Sequence, residues 1–196
     1  MGKLNNNYTS FSGRNPFASQ AKMVLHFDKL HQYLDKGDTD CPIFMEVGLT
    51  DKCNMACFWC ITEQGRDNKS GKHIEIEGLK RFLKDFAEMG GKAVTYAGQG
   101  EPTYYPHFEE AVKAAKDAGL QLGMMTNGVF KPRYCQLIGE SFDWIRISLD
   151  TLDEVKYKEW KEVDGVKIIR KNVAELVKYG CRVGINCNVG PNITLG

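Results

Sequence analysis

A chain of 196 residues, 42% hydrophobic and 26% charged, holds enough apolar material for one well-buried domain and is short for two. Its 26 Lys and Arg nearly cancel its 25 Asp and Glu, so a net charge of +1 gives no pull toward nucleic acid or an anionic membrane. No apolar run approaches the ~20 residues that span a bilayer, the polar start MGKLNNNYTSFSGRNPFASQ lacks a secretory apolar core, and seven cysteines fit metal ligands in a reducing cytoplasm better than a disulfide framework.

Residues 1 to about 17 read as a lead-in, followed by a loosely amphipathic helix from Ser19 to Lys36 that ends at Gly37. A regular alternation then begins with a strand over Ile43–Leu49. A helix over Glu75–Met89 carries Leu79, Phe82, Leu83, Phe86 and Met89 on one face, and Gly90-Gly91 stops it. Strand Lys92–Ala97, helix Phe108–Ala118, strand Leu120–Met125, helix Pro132–Gly139, strand Trp144–Leu149, helix Gly165–Tyr179 and strand Arg182–Val189 complete the pattern. Strict alternation implies a parallel sheet with helical crossovers, here a partial, open (β/α) barrel of five strands with helices outside and an N-terminal helix. Residues 1–40 form the expected N-terminal extension and 41–196 the core domain. The last strand has no covering helix, so the chain reads as a fragment or a minimal open barrel. In parallel sheets the functional loops gather at the C-terminal strand ends, and each strand here ends in polar or glycine-rich residues.

The loop after the first strand reads Cys53-Asn-Met-Ala-Cys57-Phe-Trp-Cys60. Three thiolates so spaced converge on one centre when the backbone wraps around it. An iron–sulfur cluster with three cysteine ligands would keep one iron open to a small molecule. Zinc is an alternative, but a structural site needs four ligands and His73 is the only nearby candidate for the fourth. Inert buried thiols are the third reading. Cys41, Cys135, Cys181 and Cys187 are scattered singly and read as buried thiols, with no second cluster expected.

These residues resemble the radical S-adenosylmethionine (SAM) superfamily. Cys53, Cys57, the aromatic Trp59 and Cys60 match its C-x3-C-x-aromatic-C loop. Gly98-Gln99-Gly100-Glu101-Pro102 after the second strand is similar to the family's GGEP turn, with Gln99 where many members have glycine. Thr126-Asn127-Gly128 matches TNG after the third strand, and Ser148-Leu149-Asp150 matches SLD after the fourth. Read alone, Thr-Asn-Gly is a turn and Ser-Leu-Asp a cap; their order at successive strand ends makes them functional candidates. Asn186 and Asn188 share a face of strand five, and Asn186 is the favoured nucleoside contact.

The resemblance implies a [4Fe–4S] cluster held by Cys53, Cys57 and Cys60, and S-adenosylmethionine bound by Trp59, Gly98, Gln99, Gly100, Glu101, Thr126, Asn127, Ser148, Asp150 and Asn186. It implies reductive cleavage of SAM to a 5′-deoxyadenosyl radical that abstracts hydrogen from a substrate, with an electron donor such as flavodoxin or ferredoxin. No general base is assignable. Glu63, Arg66 and His73 read as a solvated loop that could face substrate. Family members act on peptides, sugars, nucleosides, tRNA and lipids, a choice that fold-level likeness does not make. Two rivals are a non-catalytic or truncated iron–sulfur module and a zinc-stabilised α/β binding domain.

Overall fold

The computed structural model describes residues 26–37, 41–60 and 71–190. Five parallel strands form one sheet in the order β1 (Phe44–Val47), β2 (Ala93–Tyr96), β3 (Gln121–Thr126), β4 (Trp144–Ser148) and β5 (Arg182–Asn186). Each strand pairs with its predecessor and the order never reverses. That is the wall of an opened barrel, without the switch point of a doubly wound sheet.

Strand alternation separates two faces. Val94 and Tyr96 of β2, Leu122 and Met124 of β3, and Ile145 and Ile147 of β4 are buried on the helix-covered side. Helix α2 (Ile76–Glu88) packs there through Leu79, Leu83 and Phe86. The Glu75 side chain caps it, accepting from the N–H groups of Glu77 and Gly78. Helix α3 (Phe108–Asp117) adds Phe108, Ala111, Val112 and Ala115, and its Ala111 carbonyl accepts from the Tyr96 hydroxyl at 2.7 Å. The other, concave face carries Thr95, Trp144, Arg146, Arg182, Ser148 and Asn186, with Ser148 and Asn186 side by side in register.

The expected strands lie where the pattern put them, with ends shifted by up to three residues. The expected start at Ser19 lies outside the described residues; α1 as described is Phe27–Lys36, with no buried residue. Helix α4 (Tyr134–Ser141) replaces the expected Pro132–Gly139. The larger correction lies between β4 and β5. Two helices, α5 (Glu154–Lys161) and α6 (Val166–Leu176), stand there, the second running into a 3-10 turn over Val177–Tyr179. Among the described residues no helix is long and apolar enough to cross a membrane.

Candidate cofactor site

The C-terminal strand ends bring the motifs to one rim, starting at the root of the cysteine loop. The Gly100 N–H donates to the Thr50 carbonyl at 3.1 Å and the Glu101 N–H to the Lys52 carbonyl at 2.9 Å. A Cβ on Gly100 would stand 2.4 Å from the Lys52 oxygen, so only glycine lets the two turns meet. Gly98 has φ +122 and lies against Gly48, while the side chain of Gln99 is exposed.

Glu101 is 2% exposed and its carboxylate faces inward. One oxygen accepts from the Thr126 hydroxyl at 2.7 Å and from the Thr103 hydroxyl at 2.9 Å and N–H at 3.4 Å; the other accepts from the Asn127 N–H at 2.8 Å. Burial pushes this carboxyl above its ordinary range, and the four donors pull it part of the way back. Glu101 therefore ties the end of β2 to the end of β3.

Asn127 continues the chain of bonds. Its side-chain amide donates to Asn54 Oδ1 at 2.6 Å and lies 3.9 Å from Cys53 Sγ, and Asn54 Nδ2 donates to the Val129 carbonyl at 2.8 Å. On its far side the loop is held by the end of α5: the Ala56 N–H donates to the Lys161 carbonyl at 3.3 Å and the Phe58 N–H to the Trp160 carbonyl at 3.0 Å. Cys60 N–H closes back onto the Cys57 carbonyl at 3.1 Å. The loop thus wraps between a turn after β3 and the end of a helix after β4. Trp59 meets Trp160 edge-on, with ring centroids 5.4 Å apart.

Asp150 is 1% exposed and has both oxygens engaged. Oδ1 accepts from the Asn188 N–H at 2.7 Å, and Oδ2 lies 2.5 Å from the Lys161 ammonium. Lys161 is itself buried and its Nζ sits 4.9 Å from the centre of the Trp59 ring. Ser148 is half-buried and Asn186 exposed, so these two keep open side chains on the rim. Sequence reasoning missed Lys161, Thr103 and the bridging role of Asn54. A signal for the helix that carries Lys161 was present: Asp153 caps it, accepting from the N–H groups of Val155 and Lys156.

His73 is engaged at Thr50, before the cysteine loop. It forms an antiparallel bridge with Thr50, and its Nδ1 lies 2.8 Å from the Thr50 hydroxyl. Glu63 and Arg66 lie outside the described residues. Of the remaining cysteines, Cys41, Cys135 and Cys181 are buried, whereas Cys187 is half-buried and donates to the Asp150 carbonyl at 3.5 Å.

Three thiols on one loop are the donor set that this rim offers a metal centre. Among the described residues, no three His, Cys, Asp and Glu side chains share a position where one ion could sit. Zinc would need four such ligands. A cubane offers a different iron to each thiolate, so three cysteines wrapped on one loop suit it without meeting at a point. Burial pushes the Cys53 thiol up to about 11 and raises Cys57 as well, with the nearby Lys161 charge pulling Cys57 back. Thiols in such surroundings become thiolates when a cationic centre takes them, releasing protons on binding.

A parallel half-barrel with its polar motifs and three thiols gathered at the C-terminal strand ends is an α/β domain of the cofactor-binding class. The sequence model of the Radical SAM superfamily matches residues 47–196, and the chain belongs to that superfamily, whose members are enzymes using a [4Fe–4S] cluster and S-adenosylmethionine. A "Probable GTP 3',8-cyclase" of Methanococcus maripaludis is 28% identical over 136 residues, which are 68% of this chain and 45% of that protein. A "Probable GTP 3',8-cyclase" of Sulfurisphaera tokodaii is 32% identical over 140 residues, 70% of this chain and 44% of that protein. The chain therefore spans about half the length of the curated relatives it matches. In fold it is similar to Streptococcus suis SuiB bound to S-adenosylmethionine, with a TM-score of 0.66 at 17% identity over 91% of this chain and 40% of that one.

Proposed function

We propose that this chain is the cofactor-binding core of a radical SAM enzyme, with Cys53, Cys57 and Cys60 holding a [4Fe–4S] cluster. The observation that carries the reading is the cysteine loop of a superfamily member, wrapped and clamped on both sides by its own strand-end elements. When bound, the cluster supplies the electron for reductive cleavage of SAM, drawn from a flavodoxin- or ferredoxin-type donor. Gly98 and Gly100 lie flush against the root of the cysteine loop, and with Gln99 between them they form the rim assigned to the methionine end of SAM. Ser148 and Asn186, adjacent in register on the concave face, contact the nucleoside, and Trp59 borders it. Glu101, Thr126, Asn127 and Asp150 act mainly by fixing the turns, since their polar groups already bond one another or the loop.

The substrate reading follows from the relatives' printed activity. A purine nucleoside triphosphate is the first candidate. The test is anaerobic reconstitution with iron and sulfide, then dithionite and SAM, with and without GTP. Release of 5′-deoxyadenosine, increased by GTP, supports both parts. A loaded cluster whose electron paramagnetic resonance signal ignores SAM, with no 5′-deoxyadenosine formed, would instead make this a non-catalytic iron–sulfur module. Zinc without iron or sulfide in anaerobically purified protein would overturn the cluster itself.

A further inference from the structure

Lysine is almost never fully buried unless it is paired, yet Lys161 is 3% exposed. It ends α5, and the residue after it, Glu162, turns the chain out of the helix in the left-handed conformation at φ 58, uncommon for a residue with a side chain. Three contacts meet at Lys161. Its carbonyl accepts from the cysteine loop at Ala56, its ammonium meets Asp150 at 2.5 Å, and the same ammonium lies over the Trp59 ring at 4.9 Å. A cation over an indole in a desolvated setting is an attractive contact in its own right. The ammonium is the end of the ion pair that touches the cysteine loop; Asp150 reaches the other way, to the backbone of Asn188.

We propose that Lys161 is a positioning residue for the iron–sulfur cluster: paired with Asp150, it clamps the cysteine loop through Trp59 and places a fixed positive charge beside the cluster. Asp150 then serves as the counter-ion of this clamp, and not as a direct ligand contact. The inference rests on the cluster assignment proposed above. A buried pair broken at one end leaves an uncompensated charge and destabilises strongly, so the informative variant removes both charges. Lys161→Met keeps the apolar stem, and Asp150→Asn keeps an acceptor for the Asn188 N–H.

The wild-type chain, the Lys161→Met/Asp150→Asn double variant and Lys161→Arg are reconstituted anaerobically. Melting of the apoproteins, iron and sulfide bound per chain, and the cluster midpoint potential by dye-mediated titration are then compared. The double variant is expected to keep a cooperative melt but to load iron and sulfide severalfold less completely, with a midpoint moved to more negative values, because the positive end of the pair, which lies nearer the cysteine loop and favours the added electron, is lost along with the more distant negative end. Lys161→Arg is expected to retain the wild-type midpoint. A folded double variant with wild-type loading and midpoint overturns the proposal and leaves a purely structural ion pair. Should the double variant not fold, Trp59→Phe decides, since it keeps the ion pair and an aromatic edge against Trp160 while shrinking the ring under the ammonium: reduced loading supports the clamp, unchanged loading overturns it. A wild-type chain that takes up no iron or sulfide sinks the cluster reading itself, which separates the two failures.

Discussion

A methyl group at Gly100 would stand 2.4 Å from the Lys52 carbonyl oxygen and 2.6 Å from the Asp51 carbonyl carbon, both backbone atoms that have no rotamer to escape into. Gly100→Ala is therefore expected to cost about 1–3 kcal/mol, as overpacking does, and to pull the turn after β2 off the cysteine loop. Urea denaturation reads the first effect, and weaker SAM binding by calorimetry on the loaded protein reads the second. Glu101 carries a pH signature. Its native pKa is raised, chiefly by burial, so its contribution to stability is complete below the unfolded carboxylate value and is lost as pH rises through the native one. Relative to Glu101→Gln, the wild type should lose stability as pH climbs from about 4, the ordinary carboxylate value, toward neutrality. Urea melts at stepped pH check this, and a difference that does not change with pH would contradict it. The cysteine loop stood out by its spacing, which left cluster, zinc and inert thiols all open. The inward role of Glu101 was not, because its partners Thr103, Thr126 and Asn127 belong to other turns that only the folded sheet brings near.

Among the elements, the strands were legible because each is a short apolar run closed by Gly, Asn or Asp. Helix α5 escaped the search for apolar periodicity for a physical reason, although its Asp153 cap is a start signal. Its buried positions are Tyr157 and Lys161, whereas its most apolar side chain, Val155, is 77% exposed. A search for apolar periodicity finds nothing when the inward face consists of a phenol and an ammonium. Helix α6 holds the other clamp in place through Asn172, 1% exposed, whose side-chain amide donates to the carbonyls of Gly128 and Phe130 at 3.0 Å each. Asn172→Ala strands two buried carbonyls and should cost about 1–3 kcal/mol in chemical denaturation. The strain falls on the turn that positions Asn127 against the cysteine loop, so iron loading should fall with it.

For the molecule as a whole, ligand occupancy and stability are linked, because a ligand that binds only the folded state raises its stability by mass action. SAM at 100 times its dissociation constant should add about 2.7 kcal/mol to the loaded protein, seen as a rise in melting temperature. The same addition to protein stripped by an iron chelator should shift it far less, since the proposed cluster would offer the ligand its open iron as an anchor. An equal shift in both forms would mean that SAM binds without the cluster.

The sequential order of the strands also dictates when the site can exist. Tyr157 meets Met55 across 102 residues of chain, and the carbonyls that hold Ala56 and Phe58 come from the same late helix. Neighbouring βα units can zip together early from nearby contacts, but this closure spans most of the described chain and bears the entropy of a long loop. During synthesis the three thiols emerge well before the helix that grips their loop, so the full grip on that loop requires the fourth βα unit to be in place.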